Sequence, residues 1–383
     1  MKIKRPQQIL LAVSSLVASA FGLSGVTAPR SIAELDALIA REVSNLRYPG
    51  FAVAIVKDGR TVFSKGYGVS NLTTKAPVTA DTPFMVASVS KVVTGTALMQ
   101  LVQIGKIDLD EDIHSYLPFK IVNPRASGAI TLRHLATHTS GLVDFTPTLA
   151  ASYGAGDSPI SLEDFLKSYY LPGGSRYNAT NNFAATAPGQ KFEYTNIGIA
   201  LTAYLLELRT GMSFDAFTRE RIFKPLGMSN THWFLRDFED ISSIAFPYDP
   251  EYPELTHYGY PTYPDGQLRS SANDMAKFLA AMMNGGQLNG AKILEPQTLE
   301  AMLEPQFKNA EQDEDQSLFW AFKKGLIGHA GGDPGALAYL YWNPITRLGA
   351  VVMGNTALTA KNSSGVVNIL KTILRDPDTA KLF

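Results

Sequence analysis

Strand-forming runs lie near both ends of the chain, and helical segments separate them. Residues 51–68 (FAVAIVKDGRTVFSKGYG) are typical of two strands joined at the hairpin signal Asp58-Gly59. Residues 336–355 (ALAYLYWNPITRLGAVVMGN) are typical of a second hairpin around an Asn-Pro turn. The simplest architecture for this pattern is one antiparallel sheet assembled from both ends of the chain, with the helical residues inserted between them.

Helical periodicity indicates where the helices lie. An amphipathic helix is predicted for residues 31–46, and a closing helix for residues 365–374. Helical segments alternate with long polar loops between about 108 and 211, and loops as long as those at 153–189 are usually functional rims or lids. The predicted fold class is α+β: an antiparallel sheet flanked by helices, plus an inserted, mainly helical lobe at about 108–211. One domain is expected to cover residues 31–383.

The composition is that of an ordinary globular protein. The chain has 383 residues, of which 45% are hydrophobic and 18% charged, and its formal net charge is -1. This balance gives no electrostatic preference for nucleic acid. The absence of cysteine excludes thiol nucleophiles, disulfides and thiolate metal sites.

The N-terminus has the three-part pattern of a secretory signal. Three basic residues precede the apolar run ILLAVSSLVASA at 9–20, which ends in small residues. We expect a signal peptide at residues 1–20 with cleavage after Ala20, and hence a periplasmic or secreted protein. The alternative is an uncleaved anchor, since apolar residues continue to Val26. No later stretch approaches about 20 uninterrupted apolar residues, so no membrane span is expected in the mature chain.

A serine and a lysine lie one helical turn apart in the segment MVASVSKVVTGTALMQLVQIGK at 85–106. The segment has a helical apolar pattern, so Ser88 and Lys91 lie on one face and can hydrogen-bond. A lysine in so apolar a helix must be paired, solvated by a cleft or used chemically. A serine hydroxyl becomes a strong nucleophile when a neighbouring base removes its proton, and a desolvated amine can help to do so. By itself the S-x-x-K pattern also fits a helix with one snorkelling lysine.

The segment PGQKFEYTNIG places a phenol and a carboxamide two residues apart. In extended chain Tyr194 and Asn196 would point the same way, into one cleft. A phenolate near ammonium groups can act as a general base, and the phenol can return the proton to a leaving group. The same pattern also fits a buried tyrosine beside a turn asparagine.

The glycine-rich segment GHAGGDPG leads into the C-terminal hairpin. It begins with His329 two residues before the pair Gly331-Gly332, and consecutive glycines at a strand edge allow another backbone to approach closely. The backbone N–H groups of Ser88 and Gly332 would then form an oxyanion hole. The alternative is a glycine-rich turn beside a surface histidine.

Taken in this order, the three segments resemble the serine β-lactamase and penicillin-recognising enzyme superfamily, which combines S-x-x-K, Y-x-N and a K/H-x-G triplet. The resemblance is closer to the branch that holds class C β-lactamases, secreted DD-peptidases, D-aminopeptidases and β-lactamase-like esterases. Three further blocks resemble the family: ITLRHLATHTSGL at 130–142, PLGMSNT at 225–231 and LRSSANDMAKFL at 268–279. The resemblance spans about residues 31–374, nearly the whole mature chain.

The resemblance implies catalytic roles for three residues. Ser88 would be the acylated nucleophile, and Lys91 would accept or relay its proton. Tyr194 would be the general base and acid, its charge tuned by Lys91. The resemblance implies no metal and no cofactor.

Substrate binding would fall to Asn196, His329 and Gly331, with Asn196 on the amide side. His329 departs from class C β-lactamases, which carry a lysine there that helps to bind the carboxylate of the drug. Histidine is close to neutral at pH 7, so strong β-lactamase activity is not expected. Some DD-peptidases, D-aminopeptidases and esterases of the family have a similar histidine triplet. Lys323 and Lys324 would either supply charge for a terminal carboxylate or lie on solvated surface.

The expected function is a serine hydrolase that forms an acyl-enzyme on an amide or ester of a small molecule or short peptide. D-amino-acid peptides come first (DD-peptidase or D-aminopeptidase type), then a carboxylesterase or a weak class C-like β-lactamase. A receptor that only binds a peptide or a β-lactam is the non-enzymatic alternative, although binding alone needs no activated nucleophile. The long loops at 153–189 and the aromatic segment with Trp233, Phe234 and Phe238 are expected to shape the pocket, and the oligomeric state is open.

Two other enzyme classes fit poorly. An α/β-hydrolase would need a G-x-S-x-G elbow, which this sequence lacks. In HLATH, His134 and His138 would share a helical face, but Leu135 replaces the glutamate that zinc peptidases of the H-E-x-x-H type require. This stretch is therefore predicted to be structural, packing between the lobes.

Overall fold

The computed structural model of the chain describes residues 29–45, 49–249, 255–310, 314–357, 359 and 363–383. The predicted signal peptide at 1–20 lies outside these described residues. Within them, no helix combines the length and the apolar character that crossing a bilayer would require.

Eleven α-helices are numbered here in chain order along the described residues. They are α1 Ile32–Asn45, α2 Ser90–Gln103, α3 Leu132–Ala136, α4 Thr146–Ala150, α5 Leu162–Tyr170, α6 Asn196–Thr210, α7 Phe214–Thr218, α8 Lys224–Leu226, α9 Ala272–Met283, α10 Pro296–Leu303 and α11 Ser363–Arg375. The predicted first and last helices are confirmed as α1 and α11. Of the short 3-10 helices, Ala87–Val89 and Tyr263–Asp265 bear on the site.

The strands fall into one large sheet and three small two-stranded ladders. They are β1 Gly50–Lys57, β2 Arg60–Gly68, β3 Phe84–Met85, β4 Gly154–Ala155, β5 Tyr258–Gly259, β6 Arg269–Ser270, β7 Gln287–Leu288, β8 Ala291–Lys292, β9 Asp315–Gln316, β10 Ala321–Lys323, β11 Leu326–Asp333, β12 Ala336–Asn343 and β13 Leu348–Gly354. The large sheet has seven strands in the order β2-β1-β13-β12-β11-β10-β9. Every neighbouring pair in it is antiparallel.

Strands from the two ends of the chain meet in the middle of this sheet, which confirms the predicted fold class. β1 pairs with β13 in a register that runs from Phe51 opposite Gly354 to Lys57 opposite Leu348. The predicted hairpin turn joins β1 to β2, and both Asp58 and Gly59 have positive φ angles, of 50° and 73°. Two residues with positive φ are what a type I′ turn requires.

The seven-stranded sheet is covered by helices on both faces. Alternate β1 residues, Phe51, Val53 and Ile55, share a core with residues of α1 and α11. The residues between them belong to the larger core on the opposite face, where α9 packs against β1 and β13. Because β1 is buried on both faces, it is apolar at nearly every position rather than alternating.

The helical residues between the strands extend the larger core. Residues 108–211 contain α3 to α6 and contribute no strand to the seven-stranded sheet, and α7 and α8 continue the helical region beyond them. The limits of the lobe at 108 and 211 stay a prediction. Helix α2 is buried almost all round and packs against α6, and the 3-10 helix Ala87–Val89 directly before it packs against β11 and β12 of the sheet. The N-terminal end of α2 therefore lies where the two parts of the molecule meet.

Candidate active site

Ser88 lies on a tight turn at this junction. The turn is the 3-10 helix Ala87–Val89, and α2 begins directly after it. Ala87 has φ of 46°, a left-handed conformation that costs energy for a residue other than glycine and is often found at functional sites. Ser88 is half-buried, whereas the residues on either side of it are buried. The backbone thus presents one serine side chain to the solvent side of an otherwise buried segment.

Lys91 lies in the first turn of α2 and is fully buried. Its Nζ lies 3.0 Å from Ser88 Oγ, 2.7 Å from Asn196 Oδ1 and 2.6 Å from the main-chain oxygen of Asp265. Amide and main-chain oxygens can only accept hydrogen bonds, so these two take two of the N–H groups of Lys91. The remaining tetrahedral position of Nζ faces Ser88. A charged Lys91 donates a hydrogen bond to Ser88 there, and a neutral Lys91 presents its lone pair.

The structure brings Tyr194 and Asn196 to the same place. Asn196 is the first residue of α6, capped by Thr195, and Tyr194 precedes it in extended chain. The centroid of the Tyr194 ring lies 5.0 Å from Lys91 Nζ. Burial raises the pKa of Tyr194 above its ordinary value, and the charge of Lys91 and hydrogen bonds with Lys91 and Ser88 act in the opposite direction. Tyr194 is therefore a phenol whose proton is sensitive to the state of both neighbours.

His329 lies on β11, with its ring centroid 6.4 Å from that of Tyr194. Burial, followed by the nearby charge of Lys91, lowers the pKa of His329 to about 3. The ring is therefore neutral at pH 7. Its Nδ1 lies 2.7 Å from the carbonyl oxygen of Ala330, and because a carbonyl only accepts, the ring proton is on Nδ1 and Nε2 is an acceptor.

Gly331 packs directly against the nucleophile turn. A Cβ atom built on Gly331 would lie 2.5 Å from the main-chain oxygen of Val86 and 2.9 Å from the backbone nitrogen of Ser88. Only glycine allows β11 to approach this turn so closely. The next residue, Gly332, is partly exposed beside it. The oxyanion hole formed by Ser88 and Gly332 stays a prediction.

Three carboxyl groups around Lys91 were missed in the sequence, and those of Asp265 and Asp333 are buried. Asp144 accepts hydrogen bonds from the start of α6, and Asp265 supplies the main-chain oxygen that Lys91 contacts. Asp333 accepts hydrogen bonds from the hydroxyls of Tyr153 and Tyr260, at 2.9 and 3.2 Å. Burial raises the pKa of Asp265 to about 7 and that of Asp333 to about 7. Only Asp333 lies within one of the three quoted motifs, GHAGGDPG, so the sequence pattern gave little reason to select the other two.

His138 also contacts the site, and the prediction that it shares a helical face with His134 is wrong. Helix α3 ends at Ala136, and His138 adopts a left-handed conformation with φ of 56°. The His138 ring stacks on Tyr194 with centroids 4.3 Å apart, and its Nδ1 accepts the backbone N–H of Thr195. Among the described residues, no group of three or more His, Asp or Glu side chains could hold a metal ion.

Other sequence candidates lie away from this cluster. Lys323 is buried and pairs with Glu314 at 2.8 Å. Lys324 occupies the turn between β10 and β11, and the five residues to His329 along an extended strand span roughly 16 Å. Trp233 was expected to shape the pocket, but it is fully buried and its indole N–H donates to Thr218. It belongs to the core.

A half-exposed serine hydroxyl that is hydrogen-bonded to a buried lysine, with a phenol beside both, has the arrangement of a serine hydrolase site. The family model described as Beta-lactamase matches residues 35–368. The chain therefore belongs to the Beta-lactamase family, within the serine β-lactamase and penicillin-binding-protein superfamily.

Comparison with individual proteins gives distant likenesses over most of the chain. Protein flp of Staphylococcus aureus (strain COL) is 22% identical over 342 residues, which cover 84% of this chain and 62% of that protein. The chain thus spans less than two thirds of the length of that relative. The D-amino acid amidase of Ochrobactrum anthropi SV3, complexed with L-phenylalanine amide, has a TM-score of 0.70 at 23% identity and covers 89% of this chain and 98% of that one. The beta-lactamase/D-alanine carboxypeptidase of Pseudomonas syringae has a TM-score of 0.71 at 20% identity, with 88% and 98% covered. At these identities the structures establish a shared fold.

The close packing of Gly331 predicts that Gly331→Ala disturbs the nucleophile turn. The added methyl group meets backbone atoms, which cannot rotate away, so we expect a loss of about 1–3 kcal/mol in unfolding free energy and slower covalent labelling of Ser88. Urea denaturation and labelling with a fluorophosphonate measure the two effects. Gly154→Ala is the control, because a Cβ atom there has no neighbour within 4 Å. Wild-type stability and labelling in Gly331→Ala would contradict the packing.

The low pKa of His329 predicts how stability depends on pH. In the unfolded chain a histidine takes up a proton below about pH 6.5, whereas folded His329 stays neutral down to about 3. Its contribution to stability is therefore complete above pH 6.5 and decreases as the pH falls from 6.5 towards 3. In His329→Gln, the change in unfolding free energy between pH 7 and pH 5 should differ from the wild-type change by about 1–2 kcal/mol, the variant losing less on acidification. Urea denaturation at both pH values tests this, and identical pH dependence would show that folded His329 titrates normally.

Proposed function

We propose that this chain is a serine hydrolase, periplasmic or secreted, that cleaves amide bonds of D-amino-acid derivatives or short D-peptides through an acyl-enzyme on Ser88. The observation that carries the proposal is the contact between Ser88 Oγ and a lysine whose other two N–H groups are already taken. Family membership supports a hydrolase, the N-terminal sequence pattern supports export, and similarity to a D-amino acid amidase supports the D configuration.

In the proposed reaction Ser88 Oγ attacks the substrate carbonyl carbon and loses its proton to neutral Lys91 or to the Tyr194 phenolate. The N–H groups of Ser88 and Gly332 bind the oxygen that becomes negative. As the tetrahedral intermediate collapses, the amine leaves and takes a proton from Tyr194. Water then attacks the acyl-serine ester and gives a proton to Lys91 or Tyr194. As this second tetrahedral intermediate collapses, the proton passes to Ser88 Oγ, which releases the acid and restores the Ser88 hydroxyl.

The charges around the site favour a substrate without a terminal carboxylate. His329 is neutral, and Lys323 already forms an ion pair with Glu314. Buried carboxyl groups of Asp265 and Asp333 lie near enough to Lys91 to feel its charge. A bound carboxylate would therefore meet acidic groups without a matching cation from these residues, which costs free energy. D-amino-acid amides and peptides with an N-terminal D-residue come first, ahead of D-Ala-D-Ala peptides and β-lactams, which carry a carboxylate.

An ester is the second candidate substrate, and the neutral ring of His329 favours it for the same reason. Most ester substrates carry no charge at the reacting end, and an alcohol leaves with less help from a proton donor than an amine does. The Ser88 chemistry is the same for both substrates. The relative kcat/KM values for an amide and for an ester therefore decide between the two substrate classes.

Covalent labelling tests whether Ser88 is the nucleophile. A fluorophosphonate should modify wild-type protein on the peptide that contains Ser88, and Ser88→Ala should abolish both labelling and turnover, the latter by several orders of magnitude. Ser90→Ala is the matched control, because its hydroxyl accepts a hydrogen bond from the backbone of Leu268 instead of contacting Lys91. Mass spectrometry identifies the labelled peptide. A label elsewhere, or equal labelling of Ser88→Ala, would refute the nucleophile, and labelling without any turnover would favour a receptor.

A substrate panel tests the charge argument. We expect the highest kcat/KM for a D-amino-acid amide, then for a p-nitrophenyl ester, and lower values for a D-Ala-D-Ala peptide and for nitrocefin. The L-amino-acid amide is the control for configuration, since it matches the first substrate in size and charge. Highest kcat/KM on the D-Ala-D-Ala peptide or on nitrocefin would contradict the inferred preference for substrates without a carboxylate.

A further inference from the structure

Asp144 is bound to the start of helix α6 by four hydrogen bonds. Its Oδ2 accepts from the backbone N–H and from the side-chain Nδ2 of Asn196, at 2.7 and 2.8 Å. Its Oδ1 accepts from the backbone N–H of Ile197 at 3.1 Å and from the hydroxyl of Thr195 at 2.9 Å. The carboxylate thus satisfies N–H groups at a helix end that would otherwise lack partners, and a negative charge there is favourable.

The contact with Nδ2 determines which way the carboxamide of Asn196 faces. A carboxylate can only accept, so the NH₂ group of Asn196 must point to Asp144, and Oδ1 must point the other way, to Lys91. The flipped amide would place Oδ1 against the carboxylate and N–H groups against the amine of Lys91. Both contacts would be unfavourable, so Asp144 selects one of the two orientations.

The orientation of Asn196 in turn fixes Lys91. Nζ has two purely accepting partners, Asn196 Oδ1 and the main-chain oxygen of Asp265, and the third position faces Ser88. Without the Asn196 acceptor, a charged Lys91 would have a free N–H, and a neutral Lys91 could rotate its lone pair away from Ser88. Fixed geometry matters because even small displacements of a reacting group can reduce rates by about 100-fold.

We propose that Asp144 is a positioning residue of this enzyme: it orients the Asn196 carboxamide, which holds Lys91 Nζ so that its third position is directed at Ser88. The inference rests on the proposed function of Ser88. It adds a residue that contacts neither the substrate nor the nucleophile and that acts through the Asn196 carboxamide.

The substitution Asp144→Asn tests this with little change in size. The variant has one accepting oxygen in place of two, so its NH₂ group must face either the N–H groups of Asn196 or the N–H of Ile197. The orientation of the Asn196 carboxamide is then no longer selected by a carboxylate, and Lys91 is expected to lose its acceptor for part of the time. We expect the rate of fluorophosphonate labelling and kcat to fall by about 10- to 100-fold, and kcat to fall by a larger factor than KM rises, because the interaction lost is chiefly the positioning of Lys91. The pH dependence of labelling should also shift, since the surroundings of Lys91 change.

The double variant Asp144→Asn/Asn196→Asp separates positioning from folding. It restores a hydrogen bond between the two side chains with its direction reversed and again gives Lys91 an accepting oxygen. We expect it to label faster than Asp144→Asn by about 3-fold or more, a non-additive recovery of the kind that contacting residues show. Ser213→Ala is the stability control, because Ser213 caps α7 and lies outside the loops expected to shape the pocket; it should lower the melting temperature and leave labelling unchanged.

Two results would overturn the inference while leaving the proposed function intact. One is an Asp144→Asn protein that is folded and labels within about 3-fold of wild type. The other is a double variant no faster than the single variant, which would assign the loss to folding or to charge alone. Failure of wild-type protein to label on Ser88 at all would instead reject the proposed function itself.

Discussion

Lys91 places a primary amine in the interior of the molecule, where three oxygen atoms bind it. An unpaired amine in such a place would cost several kcal/mol or more. The three oxygens, from Ser88, Asn196 and the main chain of Asp265, belong to the nucleophile turn, to the start of α6 and to the 3-10 helix Tyr263–Asp265. The burial of one side chain therefore fixes the relative positions of three separate segments.

These segments come from both parts of the molecule and meet at the junction between the sheet and the helical residues. Helix α2 is buried almost all round because α6, α7, α10 and the 3-10 helix Tyr263–Asp265 pack around it, and the turn that precedes it packs against β11 and β12. Gly331 lets β11 come into contact with the nucleophile turn, and α6 begins beside Lys91 because Asp144 satisfies its first N–H groups. The side chains at the open side of this junction, Ser88 and Tyr194, are half-buried, whereas Lys91 beneath them is fully buried. Reagents can therefore reach the nucleophile, and water has little access to the amine.

The sequence was informative where local geometry decides the outcome. The spacing of Ser88 and Lys91, the hairpin at Asp58-Gly59 and the strand patterns at both ends depend on neighbours within a few residues, and the structure agrees with them. Asp265 acts through a main-chain oxygen, 174 positions from Lys91, and such an oxygen has no signature in a sequence. The sequence around Asp144 gives no sign of a role, because its contacts with the start of α6 are made only in the folded chain. His138 lies four residues after His134, which is the spacing of one helical face, but helix α3 ends two residues before His138.

The most direct test of this account is a crystal structure of the protein after reaction with a fluorophosphonate. The account predicts phosphorus bonded to Ser88 Oγ, with Lys91 Nζ within hydrogen-bonding distance of that oxygen and still in contact with Asn196 Oδ1 and the main-chain oxygen of Asp265. A label on another residue would contradict it. So would a Lys91 side chain turned away from Ser88, because the amine could then neither take nor relay the proton of the nucleophile.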